Sequence, residues 1–281
     1  MVLLLASALA HADYIYVSCF GDNTIKKFDS GGTMFPFASN LSSPKGLAFD
    51  SSDNLYVADD AGGTIKKFDS GGTMSTFASG FGDIYGLARG GLAFDSSGNL
   101  YAASTGGNIV KFDSDGIPST FASGLSSPKG LAFDSSGNLY VACYGDNTIK
   151  EFVSGGGMSI FASSGLTNPW GLAFASDGNL YAANYGDNTI VEFDSSGNGV
   201  VFVASGLTNP RDIAFDSSGN LYVANYAGGT IKKFDSGGTM SPFASGLSYP
   251  TGIAVQVPEP ATIALLGLGT LSLIRSRKRK T

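Results

Sequence analysis

The sequence has very little histidine, cysteine, tryptophan and charge. Its 281 residues contain one histidine, two cysteines and one tryptophan, and only 14% are charged. The one histidine, His11, stands in a segment that we expect to be removed from the mature protein. The body therefore lacks the residue that a Ser-His-Asp triad and His-ligated zinc or copper sites require. No internal run reaches the ~20 apolar residues of a membrane-spanning helix.

The overall composition excludes several other classes of protein. The hydrophobic fraction of 43% is too high for a disordered tail, and the 40 glycines exclude a helical bundle or coiled coil because they are about twice the usual share. Residues 258–281 hold five of the 17 basic and one of the 23 acidic residues, which leaves a body with 12 basic and 22 acidic residues and a net charge of −10. Nucleic-acid binders usually show a basic field, so we predict no nucleic-acid partner.

Residues 1–12 have the pattern of a secretory signal peptide. Residues 2–10 are apolar, and Ala10-His11-Ala12 has the small-x-small form of a signal-peptidase site. Because the segment is short and lacks a basic start, we interpret it as a signal peptide truncated at its beginning. The alternative is that it forms part of the first β-strand.

Residues 257–281 combine three features in a fixed order. Pro258-Glu259-Pro260 precedes the apolar residues 261–274, and residues 275–280 are rich in arginine and lysine. The apolar stretch would span roughly 21 Å as a helix, short of the ~30 Å hydrocarbon core, which favours a transient membrane contact. This arrangement resembles the PEP-CTERM sorting signal.

That resemblance implies a route and a destination. An exosortase-type membrane transpeptidase would recognise Pro258, Glu259 and Pro260 and cleave the tail of an inner-membrane precursor. The product would reach the cell surface or the extracellular matrix of a Gram-negative bacterium that makes exopolysaccharide. The alternative is an uncut membrane tail.

Residues 13–256 repeat one unit six times. The first run of each unit, Gly-Leu-Ala-Phe or a variant, recurs at spacings of 45, 39, 41, 41 and 40 residues, beginning at Gly46, Gly91, Gly130, Gly171, Asp212 and Gly252. Three further short apolar runs complete each unit, and Asp, Asn and Gly residues typical of tight turns separate them. Four short antiparallel strands in about 41 residues are the period of a β-propeller blade.

The two ends of the repeat region complete each other. The repeats begin at the second-strand position, near Tyr14, and end with a lone first strand, Gly252-Ile253-Ala254-Val255. Pairing these ends would leave no long exposed edge. We therefore predict an all-β, six-bladed β-propeller of four-stranded antiparallel blades, closed by pairing the C-terminal strand with the N-terminal three.

The unit Pro-x-Gly-Leu-Ala-Phe-Asp-Ser-Ser-Gly-Asn-Leu-Tyr-Val-Ala-Asn-Tyr-Gly-Asp-Asn-Thr-Ile-Lys-Lys-Phe-Asp-Ser resembles the NHL repeat. More loosely, it resembles the SMP-30 and virginiamycin B lyase propellers. The resemblance implies the fold but no single function, because such propellers include enzymes, binding modules and scaffolds. The body has no counterpart of the lyase histidine base. Its two glutamates, Glu151 and Glu192, fall in third strands, away from the channel where the SMP-30-like lactonases hold a metal.

Aspartates recur at equivalent positions in four units, and oxygen-rich loops of this kind suit calcium. The Asp-x-Asp/Asn-x-Asp/Asn-Gly spacing is absent, so we interpret Asp50, Asp95, Asp134 and Asp216 as turn-capping residues. We predict no cofactor and no metal site, with calcium as the alternative. Cys19 and Cys143 are three units apart, on opposite sides of a six-membered ring, and are predicted to be free thiols.

The copies differ most at the predicted mouth of the central channel, and a specific site must break the sixfold symmetry. The candidate ligand-binding residues are Lys45, Lys129, Trp170, Arg211, Tyr144, Tyr185 and Tyr226. The aromatic rings would serve as stacking platforms and the cations as anion partners, which suits sugars and acidic polysaccharides. The alternative is that these are ordinary rim residues, with the tyrosines packed between blades.

Together these observations predict an exported, surface- or matrix-associated, non-catalytic propeller that acts as a binding or structural module. Its partner would be an acidic polysaccharide or a protein. The alternative is a metal-assisted lyase or hydrolase of the NHL/SMP-30 type.

Overall fold

The structure, a computed structural model, describes residues 13–80, 87–104 and 106–257. The predicted signal peptide, residues 1–12, lies outside the described residues, as do Pro258, Glu259, Pro260 and the rest of the sorting signal. Within the described ranges, no helix is long and apolar enough to cross a membrane.

The described chain forms six four-stranded antiparallel sheets arranged as the blades of a propeller, as the repeats predict. The innermost strands, which contact one another around the axis, are β4 (Pro44–Phe49), β8 (Leu87–Phe94), β12 (Pro128–Phe133), β16 (Pro169–Phe174), β20 (Pro210–Phe215) and β24 (Pro250–Gln256). The second strands are β1 (Tyr14–Cys19), β5 (Leu55–Asp59), β9 (Leu100–Ser104), β13 (Leu139–Cys143), β17 (Leu180–Asn184) and β21 (Leu221–Asn225).

The outer half of each blade is more exposed than the inner half. The third strands are β2 (Thr24–Asp29), β6 (Thr64–Phe68), β10 (Ile109–Phe112), β14 (Thr148–Phe152), β18 (Thr189–Phe193) and β22 (Thr230–Phe234). The outermost strands are β3 (Met34–Ala38), β7 (Met74–Ser79), β11 (Pro118–Ala122), β15 (Met158–Ala162), β19 (Gly199–Val203) and β23 (Met240–Ala244). We number the blades in chain order, so blade 1 contains β1–β3 and blade 6 contains β20–β23.

The ring closes in blade 1, where the sheet order is β24-β1-β2-β3 and confirms the predicted pairing. The side chain of Ser18 in β1 adds two hydrogen bonds to this closure. Its Oγ donates to the carbonyl oxygen of Lys45 at 2.5 Å and accepts from the N–H of Gly252 at 2.8 Å. One buried hydroxyl thus connects β1 with the first and last innermost strands in chain order, β4 and β24. The other five second strands carry alanine at this position (Ala58, Ala103, Ala142, Ala183 and Ala224).

The core lies between neighbouring blades and repeats with them. Tyr56 of blade 2, for example, packs edge-on against Phe77 of its own blade and Phe94 of blade 3, with ring centroids 5.0 and 4.9 Å apart. Edge-to-face contacts of this kind contribute about 0.5–1.5 kcal/mol each beyond the area they bury. The same contact to a phenylalanine of its own blade is made by Tyr16, Tyr101, Tyr140, Tyr181 and Tyr222.

The two ends of the propeller differ in their loops. The mouth face is the end where innermost strands begin and second strands end, as the pairing of Pro44 with Asp59 shows. The opposite end, the turn face, carries the reversals that follow the innermost and third strands. There the Asp50 carboxylate accepts from the N–H groups of Ser52 and Asn54, both at 2.9 Å. The repeated aspartates therefore act as turn caps.

Candidate functional site

The mouth face carries one dense cluster of aromatic and cationic side chains. Tyr144, Tyr185 and Tyr226 each follow a second strand, whereas Trp170 and Arg211 are the second residues of two innermost strands. Because neighbouring strands run antiparallel, these two kinds of position meet at the same end of the propeller. We call these five residues, together with Lys129, the rim cluster.

Local hydrogen bonds fix the tyrosines of the rim cluster. The N–H of Tyr185 donates to the carbonyl oxygen of Asn168 at 3.2 Å. The side-chain amide of Asn168 in turn donates to the carbonyl oxygen of Tyr144 at 3.2 Å, which joins blade 5 to blade 4. Asn209 repeats this bridge to the Tyr185 carbonyl oxygen at 3.2 Å. The rings are partly exposed and lie outside the inter-blade core, which is built from the other set of tyrosines.

Trp170 stands at the centre of the cluster. Its ring lies 5.6 Å from that of Tyr144 in an edge-on arrangement and 5.3 Å from that of Tyr185 in a tilted one. Lys129, whose stem is buried, places Nζ 5.2 Å from the Trp170 ring centroid. The result is an amphipathic surface with both aromatic faces and a positive charge.

Arg211 is held almost entirely by aromatic rings. Its guanidinium carbon lies 3.4 Å from the ring centroid of Tyr226 and 4.5 Å from that of Trp170. Its Nε is buried and donates no hydrogen bond within the described part of the chain. Burial lowers the pKa of Arg211 from its usual value, and the neighbouring tyrosines partly oppose this effect. No carboxylate in the described ranges forms an ion pair with it.

The structure therefore brings together six of the seven candidate residues named from the sequence. The seventh, Lys45, lines the same channel but has other contacts. Its Nζ lies 3.4 Å from the Asp60 carboxylate and 4.4 Å from the ring centroid of Phe20. Its charge is thus already paired within the protein.

Asp212 is a feature of the channel that the sequence interpretation did not single out. Five innermost strands have glycine at this position because the strands crowd at the axis; a Cβ on Gly130, for instance, would lie 2.9 Å from the Cα of Gly171. Blade 6 has Asp212 instead, and its carboxylate accepts from the N–H groups of Ile253 at 3.0 Å and Ile213 at 3.1 Å. Burial raises the pKa of Asp212 to about 7, and these two hydrogen bonds lower it only in part. The departure from glycine was visible in the repeat alignment and is the signal that could have identified it.

Other reactive groups are buried or used structurally. Cys19 and Cys143 are free, buried thiols, and burial raises the pKa of each to about 11. Glu151 accepts a hydrogen bond from the Tyr140 hydroxyl at 2.9 Å, and Glu192 accepts from the side-chain amide of Asn179 at 2.8 Å. Across residues 13–80, 87–104 and 106–257, no three His, Cys, Asp or Glu side chains come together as a metal site.

Comparisons with known proteins agree with this architecture. The NHL repeat matches residues 125–152, a β-propeller repeat matches residues 199–231, and the PEP-CTERM protein-sorting motif matches residues 256–280. No curated protein matches the sequence significantly.

Solved structures show the same fold at low identity. One is that of a nidogen/laminin complex, with 20% identity, a TM-score of 0.76 and coverage of 86% of this chain and 98% of that one. A catalytically inactive histidine-to-alanine variant of virginiamycin B lyase from Staphylococcus aureus, solved with quinupristin, has 16% identity, a TM-score of 0.67 and coverage of 86% and 84%. A streptogramin B lyase has 15% identity, a TM-score of 0.65 and coverage of 86% and 91%.

The fold and the sorting motif together define the class: this is a bacterial β-propeller that carries an export and cell-surface sorting signal. More particularly, it is a six-bladed propeller in which one repeat matches the NHL repeat, and its C-terminal PEP-CTERM motif implies processing by an exosortase-type sorting system.

Proposed function

We propose that this protein is a non-catalytic binding module that holds an acidic polysaccharide on its mouth face, at the cell surface or in the extracellular matrix of a Gram-negative bacterium. The observation that carries the proposal is Arg211, which lies against Tyr226 and Trp170 without a carboxylate partner among the described residues. A planar guanidinium fits a carboxylate with two parallel hydrogen bonds. A uronic acid would supply that carboxylate.

The neighbouring rings support a sugar in particular. Trp170, Tyr144 and Tyr185 are partly exposed and lie at angles to one another, so they can contact the apolar faces of successive sugar rings. Lys129 adds a second positive charge beside Trp170. The body as a whole carries a net charge of −10, so a polyanion would be repelled elsewhere and directed to this surface.

A metal-assisted lyase or hydrolase is the alternative function. Its support is the fold shared with virginiamycin B lyase and the presence of Asp212 at the channel. At 16% identity the likeness is one of fold, and His11 falls outside the repeat region. Binding is the function that the rim cluster favours.

Titration with polygalacturonate tests the proposal, and the fluorescence of Trp170, the one tryptophan, reports on the rim cluster directly. We expect Trp170→Ala to weaken binding roughly 5- to 30-fold, which corresponds to about 1–2 kcal/mol. Arg211→Gln should weaken it similarly, and added salt should then reduce the wild-type affinity more than that of the variant.

The matched control is Lys232→Ala, which removes a charge from a third strand away from the rim cluster. It should bind like the wild-type protein. If polygalacturonate binds but both rim variants retain full affinity, or if it leaves Trp170 emission unchanged, the proposed site is wrong.

A further inference from the structure

On the turn face, one of the six blade interfaces differs from the others. In four of the other five blades the turn after the third strand reaches the backbone of the preceding blade, and in blade 2 a Cβ on Gly72 would lie 4.0 Å from the ring of Phe37. A Cβ on Gly32, Gly116, Gly197 or Gly238 would lie within 3.3 Å of the carbonyl oxygen of a phenylalanine in the preceding blade's outermost strand. The corresponding glycine of blade 4, Gly156, has no such neighbour within 4 Å. The matching phenylalanine of blade 3, Phe121, is 41% exposed.

The sequence of the blade 4 turn explains this difference. The other five turns begin with an aspartate, and in blade 1 the Asp29 carboxylate accepts from the N–H groups of Gly31 at 3.0 Å and Thr33 at 2.8 Å. Blade 4 has Val153 at the aspartate position and Gly157 at the threonine position. Val153 cannot accept these bonds and is 40% exposed.

The blade 4 turn is instead attached to its own blade. The N–H of Ser154 donates to the side-chain oxygen of Asn138 at 3.1 Å, and two backbone bonds between Val153 and the glycines complete the turn. The turn therefore stands back from blade 3 and leaves a cavity between the two blades.

This cavity, the blade 3/4 groove, has a volume of about 550 Å³, against about 380 Å³ for the corresponding space between blades 4 and 5. Phe121, Phe133 and Val153 form apolar walls, whereas Asp95 and Ser154 supply polar groups. The groove's charged side chains, Asp95 and Lys111, lie 3.9 Å apart and compensate each other. Its size falls in the usual range of ~300–1,000 Å³ for small-molecule sites.

We propose that the blade 3/4 groove is a second binding site, which takes an uncharged sugar ring. An apolar sugar face would lie on the exposed ring of Phe121, and its hydroxyls would bond to Ser154. Because the groove carries no net charge, a neutral sugar enters without leaving a charge uncompensated. The groove lies on the end of the propeller opposite to the rim cluster. With both sites, the protein would connect a neutral saccharide to an acidic one. This role goes beyond the binding proposed for the mouth face.

The repeats themselves provide a sharp test. Ser154, Gly155 and Gly156 already match the blade 1 turn, so Val153→Asp with Gly157→Thr recreates Asp29-Ser-Gly-Gly-Thr33. This double variant should close the groove without loss of thermal stability. The probe is a panel of neutral hexasaccharides of glucose, galactose or mannose, measured by calorimetry on the purified exported protein.

We expect the wild-type protein to bind at least one of these probes and the double variant to lose that binding more than tenfold. Phe121→Ala should weaken it about five- to tenfold through the lost ring contact. A matched change in blade 2, Asp69→Asn with Thr73→Ser, alters the same two turn positions but keeps a side-chain oxygen as the capping acceptor, so it should leave binding unchanged.

Trp170→Ala separates this site from the rim cluster, because it should leave neutral-sugar binding intact. The proposal is overturned if the wild-type protein binds none of the probes or if the double variant binds them as well as the wild type does. Loss of neutral-sugar binding in Trp170→Ala but not in the double variant would place the sugar on the mouth face and would also overturn it.

Discussion

The carboxylate at the propeller axis makes stability depend on pH in an unusual direction. Asp212 occupies a position that is glycine in the other five innermost strands, and burial raises its pKa to about 7. The folded state therefore holds this proton more tightly than the unfolded chain, whose aspartate has a pKa near 3.8. Stability supplied by the protonated carboxyl is fully present below the unfolded pKa and is lost as pH rises through the folded pKa.

The magnitude follows from the difference between the two pKa values. Each unit is worth about 1.36 kcal/mol, so the loss on going from below pH 4 to above pH 7 is at most about 4 kcal/mol. About 2–3 kcal/mol of this loss falls between pH 5 and pH 8. A domain with an unfolding free energy of about 5–15 kcal/mol would show such a change clearly.

Urea denaturation at pH 5, 6, 7 and 8 measures the effect. The unfolding free energy of the wild-type protein should fall over this range relative to that of Asp212→Asn, which has no proton to lose. Asp212→Gly, which restores the repeat, should behave like Asp212→Asn in its pH dependence. Asp194→Asn is the control: hydrogen bonds from Asn198 lower the pKa of Asp194, so its effect lies below pH 4. Parallel curves for the wild-type protein and Asp212→Asn between pH 5 and pH 8 would refute the reasoning.

Three further predictions concern closure and sorting. Ser18→Ala should lower the unfolding free energy by about 1–3 kcal/mol, because the N–H of Gly252 and the carbonyl oxygen of Lys45 would lose their hydrogen-bond partner. An unchanged urea midpoint would contradict this. Deleting Gly252–Val255 should cause aggregation or a large fall in melting temperature because it exposes the edge of β1, and a monomer that melts as before would count against it. Replacing the Pro258-Glu259-Pro260 motif with alanines should leave an uncleaved precursor in the membrane. The prediction fails if that variant reaches the cell surface at the processed mass.

The fold could be predicted almost completely from the sequence because each unit repeats the same pattern of four strands. The innermost run ends in Ala-Phe in five units, the second run carries the core tyrosine in all six, and Asp and Gly residues mark most of the turns at a regular spacing. A mistaken assignment in one unit would have conflicted with the other five. Even the closure was readable, since β24 is the one strand that the N-terminal unit lacks.

The rim cluster could be predicted in outline but not in its contacts. Antiparallel strand order places the start of an innermost strand beside the end of a second strand, so Trp170 and Tyr185 were expected on one face. The sequence could not show that Lys45 would pair with Asp60, 3.4 Å away, while Arg211 would lie on Tyr226. The partner that each cation contacts depends on the direction of its side chain, and the residues at the rim differ from one copy to the next.

The residues that the sequence interpretation passed over share one property: each replaces a residue that the other copies keep at that position. Asp212 replaces a glycine at the axis, Ser18 replaces an alanine at the closure, and Val153 replaces a turn aspartate. In a repeat protein the common residues maintain the fold, so a departure changes the surroundings of one place only. The effect of such a replacement depends on the packing around it. A turn that loses its polar cap could still contact the neighbouring blade, but the blade 4 turn lies away from Phe121 and leaves a groove there. A search of repeat proteins for function should therefore begin with such departures and use the structure to decide which of them create space or charge.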